Sequence, residues 1–148
     1  MEARNVTQEH AQEFWKEEIR GFPHGGEGAA VWVVRRDGNH QGAPLRVLFA
    51  WETGAARDEG MASRPPLGVI HRVLEGGREE LIRRDKKTAL WAEPILEDGR
   101  PRGCLVIWFR AADPWRENIF LWGQRLAARV GPVLRGLRPG AADRKSVV

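Results

Sequence analysis

The apolar positions of the chain fall into two rhythms. Near the N-terminus Ala11, Trp15 and Ile19 recur every four residues, with Phe14 beside them and Gln, Glu and Lys between. That spacing predicts an amphipathic helix over residues 7–20, with Asn5 or Thr7 placed to cap its start. The segment GFPHGGEG (21–28) holds four glycines and a proline and breaks the helix. A shorter rhythm follows. Ala30–Arg35 is apolar and β-branched, and in Leu45–Glu52 the residues Leu45, Val47, Phe49 and Trp51 alternate with Arg46, Leu48, Ala50 and Glu52. Both read as strands.

After a polar, turn-rich stretch ending at Pro65-Pro66, LGVIHRVLEGG reads as a short helix closed by Gly76-Gly77. EELIRRD supplies a strand of about four residues. ALWAEPILEDGRPRGCLVIWF (89–109) is a hairpin, two apolar runs around Asp98-Gly99, a dipeptide suited to the positive φ angles of a tight turn. A long helix follows, with Asp113 at its cap and Pro114 in its first turn. Its apolar stripe is Trp115, Ile119, Trp122, Leu126 and Val130, and Pro132 is expected to kink or end it. The order is helix, two strands, loop, short helix, three strands, long helix. It predicts an α+β domain in which the end helices share one face of an antiparallel sheet while the short helix and loop cover the other. Residues 1–138 form one domain in this scheme, and 139–148 a tail or linker stub.

Composition narrows the picture little. With 42% hydrophobic and 30% charged residues the chain is globular, and no apolar run is long enough to span a membrane. The polar, acidic start lacks the pattern of a signal peptide, so a cytoplasmic location is expected. The net charge of +4 comes from 24 basic residues interleaved with 20 acidic ones. Only RRDKK (Arg83–Lys87) and the tail are locally basic, so nucleic acid is not an expected partner. The single cysteine, Cys104, lies in an apolar strand and reads as a small core residue. His10, His24, His40 and His71 show no metal-ligand spacing. Seven tryptophans without a tyrosine fit either core filling or an aromatic-lined pocket.

From about Gln12 to Leu137 the chain resembles the GAF domain family. LGVIHRVLEGGREELIRRD is similar to the family's short helix running into a central strand. ALWAEPILEDGRPRGCLVIWF resembles its signature hairpin, and DPWRENIFLWGQRLAARV its closing helix. The resemblance implies a GAF/PAS-like (profilin-like) sheet of about five to six strands with a ligand cavity beneath the middle loop and short helix. Glu93 departs from the family pattern, which carries an apolar residue there. If Ala89, Trp91, Glu93 and Ile95 face the cavity, Trp91 is a stacking wall and Glu93 an acceptor, with Arg72 or His71 its partner. In the other case Glu93 is solvated at the strand end and Trp91 only packs. Trp51, Met61, His71, Arg72, Trp91 and Glu93 are the candidate ligand residues.

Trp15, Trp115 and Trp122 on the end helices would serve a homodimer or a regulatory protein partner, or else be buried within the chain. The resemblance implies no enzyme. The family's methionine sulfoxide reductases need several cysteines, its bilin binders a pocket cysteine, and its cyclic-nucleotide binders an Asn-Lys-x-Asp-type motif, none of which is present. No motif identifies a cofactor or metal. The expectation is a non-catalytic sensory domain that binds a small molecule and signals through its terminal helices. The alternative is a ligand-free scaffold for dimerisation or protein interaction.

Overall fold

A computed structural model of the chain describes residues 2–23, 26–34, 45–53, 66–111 and 116–136, with the side chains of all of these except 2–8 and 116. Within them run α1 (Glu2–Arg20), β1 (Gly26–Val34), β2 (Leu45–Glu52), α2 (Leu67–Gly76), β3 (Glu80–Arg83), β4 (Thr88–Glu97), β5 (Arg100–Arg110) and α3 (Arg116–Gly136). The strands make one antiparallel sheet in the order β2-β1-β5-β4-β3. Chain neighbours β4 and β5 pair along almost their whole length. Their turn is the expected one, with Asp98 at φ 54° and Gly99 at φ 78°, a left-handed pair whose twist matches the strands it joins.

Period two divides the sheet into two covered faces. Val31, Phe49, Trp91, Ile95 and Ile107 pack beneath α1 and α3. Trp32, Leu90, Ala92, Val106 and Trp108 pack beneath α2. With helices on both sides, β4 and β5 read as nearly continuous apolar runs, as strands buried on both faces do. α2 ends where expected. Gly77 adopts φ 67° and its N–H donates to the Val73 carbonyl at 2.8 Å. A side chain there meets the steric penalty of the left-handed region, so Gly77→Ala is expected to cost roughly 1–2 kcal/mol in a urea titration.

Four local expectations are corrected. α1 starts at Glu2, so Asn5 and Thr7 lie inside the helix and do not cap it. β1 begins within the glycine-rich segment, at Gly26. A Cβ on Gly26 would fall 1.8 Å from the Phe22 ring, so that glycine admits a side chain packed on the strand. In β2 the alternation does not run through. A bulge opposite Val31/Trp32 turns Phe49 and Trp51 toward the terminal helices, while Leu45 packs on the α2 side and Val47 is exposed. Finally, of the two outcomes expected at Pro132 the end does not occur: α3 continues past it to Gly136. Gly131, lacking a Cβ, removes part of the clash that pushes a residue before proline out of the helical region. Val133 and Leu134, packed on the core, hold the last turn. The expected cap and first-turn residues Asp113 and Pro114 lie outside the described residues.

Candidate functional site

Two areas of the fold gather the residues of interest, one under α2 and one under α3. α2 follows Pro66, whose carbonyl accepts the Ile70 N–H at 3.0 Å. The helix sets Val69, Ile70 and Val73 on the sheet and leaves His71 and Arg72 exposed. Arg72 Nε donates to Glu80 Oε1 at 2.9 Å, tying α2 to the start of β3 in a water-exposed pair of small energetic weight. Beneath the helix Trp32 and Trp108, 2% and 1% exposed, meet edge to face with ring centroids 5.9 Å apart. Cys104 beside them is fully buried. Burial pushes its thiol up to about 12, which keeps it protonated and unreactive.

Alternation sends Trp91, Glu93 and Ile95 the other way, onto the face that α3 covers. The pairing of Glu93 with Arg72 or His71 therefore does not form, because the sheet stands between them. Trp91 stacks on Phe120 of α3 at 4.3 Å. Gly123 rides directly over its indole, where a Cβ would lie 3.3 Å from the ring. Glu93 is 8% exposed, buried, with its Oε1 shut from water. Burial raises its carboxyl from 4.5 to about 7, the Glu79 carboxylate adds to the rise, and the Trp91 indole N–H opposes it more weakly. Neither Trp91 Nε1 nor Glu93 Oε1 completes a hydrogen bond. Pro94, next in the strand, is tolerated for a topological reason. β3 pairs with β4 only as far as Ala92, so beyond it no described strand lies on that edge to need a donor.

The other aromatics line the same face. Trp51 tilts on Phe22 at 4.7 Å, and Phe22 meets Trp122 edge-on at 4.8 Å. Trp15 is 5% exposed and stacks on Phe49 at 5.1 Å, so its ring is occupied within the chain. Of the six expected ligand residues, His71 and Arg72 ride on α2 while Trp51, Trp91 and Glu93 lie on the opposite face. Met61, like Trp115, is outside the described residues. The residues that do sit beneath α2, Trp32 and Trp108, were missed by sequence reasoning. Their strands carried the signal, a tryptophan in each apolar run, but the contact between them depends on β1 and β5 being neighbours. Among the described residues no cluster of His, Cys, Asp and Glu could hold a metal ion, and no helix is long and apolar enough to cross a membrane.

The sequence matches no protein-family model and no curated protein. Solved structures do match. One is the GAF domain region of a putative membrane protein from Geobacter sulfurreducens PCA, with a TM-score of 0.62 at 15% identity, covering 91% of this chain and 97% of that one. Another is the A. aeolicus nlh2 GAF domain in an inactive state, with a TM-score of 0.55 at 18% identity, covering 90% of this chain and 91% of that one. The fold is that of a GAF domain.

Proposed function

We propose that the chain is a non-catalytic regulatory domain of the GAF type, acting in the cytoplasm, that takes a small molecule on the α2 side of its sheet and reports through α1 and α3. One observation carries this reading: β4 and β5 are shared, residue by residue, between two separately packed faces. Leu90 and Ala92 meet the α2 side and Trp91 the α3 side; Trp108 meets the first and Ile107 the second. A shift of α2 that displaces these strands must be accommodated under the terminal helices, because close-packed cores deform in discrete steps. A ligand can drive it only through a difference in affinity for the two arrangements. The outer faces of α1 and α3, where Leu121 is 56% exposed beside Trp122, would take a second copy or a partner protein.

A second reading, the ligand-free scaffold, is favoured by the Trp32–Trp108 contact, which fills the ground under α2 with the chain's own rings. Native mass spectrometry of freshly purified protein, at gentle and then harsh activation, separates the two. A discrete added mass lost on activation is expected for the ligand-binding domain. Bare protein at every energy, with no thermal shift across a metabolite panel, would instead select the scaffold.

A further inference from the structure

Glu93 is the least accommodated charged group among the described residues. It stands between Trp91 and Ile95 on β4, on the face that α3 crosses from Gly123, over Trp91, to Gly131, over Leu96. Its Oε1 is shut from water without a hydrogen bond, and so is the indole Nε1 of Trp91 two residues before it. Among the described residues, the groups around it offer no positive charge. Its β5 register partner is Leu105. On the β3 side, the register continued by one residue sets Glu79, a second acid, opposite it, and next to that stands Leu81. α3 turns Ile119, Leu126, Ala127 and Val130 to the sheet, while its Arg125 and Arg129 are exposed and Arg129 pairs with Glu18 of α1. Cys104 and the Arg72–Glu80 pair belong to the opposite face.

We propose that Glu93 is a proton-operated latch for the C-terminal helix: the neutral acid lets α3 lie closed on β4, and loss of the proton to solvent loosens that helix. This goes beyond the ligand reading, since the input is a proton and the site lies across the sheet from α2. A neutral carboxyl is a tolerable guest in such surroundings, whereas a carboxylate with one oxygen, Oε1, shut from water without a hydrogen bond is costly unless the helix lifts and admits more water. The sign follows from the raised pKa. With 4.5 as the value in the open, hydrated state and about 7 in the closed one, the latch is fully closed below 4.5, and its grip is lost as pH rises to about 7.

The test is amide hydrogen exchange on the whole ligand-free chain between pH 5.5 and 8, corrected for the intrinsic pH dependence of exchange, with α2 as internal reference. Protection of α3 relative to α2 is expected to fall by more than about tenfold across that range. Glu93→Gln, which keeps the shape without the charge, is expected to abolish the fall. Glu79→Gln, an exposed change that leaves the fold intact, is expected to move its midpoint to lower pH by removing the like charge. Constant α3 protection in the parent chain would overturn the latch. So would an undiminished fall in Glu93→Gln, or a midpoint in Glu79→Gln that stays in place. None of these outcomes depends on a ligand at α2, so failure here leaves the regulatory reading standing.

Discussion

Replacing Trp108 with alanine is expected to destabilise the domain by about 3–5 kcal/mol, the range for deleting a fully buried large aromatic. Trp108 is 1% exposed, edges against Trp32, and packs so near β1 that a Cβ on Gly28 would come within 3.3 Å of its ring. These neighbours belong to a sheet held from both faces, so they cannot collapse into the space. The loss therefore includes the contacts of the lining as well as the transfer of the indole to water. Urea titration followed by circular dichroism measures it. Free indole added to Trp108→Ala should recover part of the loss by filling the vacated volume, with a stabilisation that grows with indole concentration as mass action requires. A loss below about 1 kcal/mol would mean that the ring is not structural, and would move the balance toward a ligand site under α2.

How much of this was legible beforehand depends on whether a feature is local. The Asp98-Gly99 turn, the Gly77 helix end and the paired apolar runs of β4 and β5 are fixed by residues adjacent in sequence, and all appear where the pattern puts them. The sheet and its two-sided packing followed from the order of these elements, and the GAF fold from the resemblance of three segments in that order. Alternation also sorted Trp91, Glu93 and Ile95 into one set. It could not say which helix that set faces, because period two defines two sides without naming them. The side is decided by which helix crosses which face, a property of the whole chain. That is why Glu93, expected beside Arg72 or His71, stands beneath α3. The β2 bulge reverses facing partway along a strand with no residue that announces it. Gly26 was invisible for a related reason, since a glycine that ends a helix and one that admits a neighbouring ring look alike in sequence.

The same ambiguity produces a prediction of opposite signs for one kind of substitution. In isolation, glycine to alanine within a helix is worth up to about 1 kcal/mol of stabilisation. At Gly68 in α2, an added Cβ would meet only the Arg72 guanidinium at 3.8 Å, an ordinary contact with a flexible side chain. Gly68→Ala is therefore expected to raise stability by several tenths of a kcal/mol. At Gly131 in α3 the new Cβ would fall 2.5 Å from the Leu96 carbonyl oxygen. That atom is backbone, in a strand that pairs with β5 along almost its whole length, and cannot swing aside as a side chain would. The helix must move instead, and around it Val130 is fully buried while Arg135 pairs with Asp98 in the turn beyond β4. Overpacking of this kind costs about 1–3 kcal/mol, enough to cancel the propensity gain and leave Gly131→Ala less stable than the parent by up to about 2 kcal/mol. Paired urea titrations of the two variants check both signs at once. A stabilised Gly131→Ala would mean that α3 can rise from β4 at almost no cost, and the tight seating of that helix, on which its control by Glu93 depends, would have to be given up.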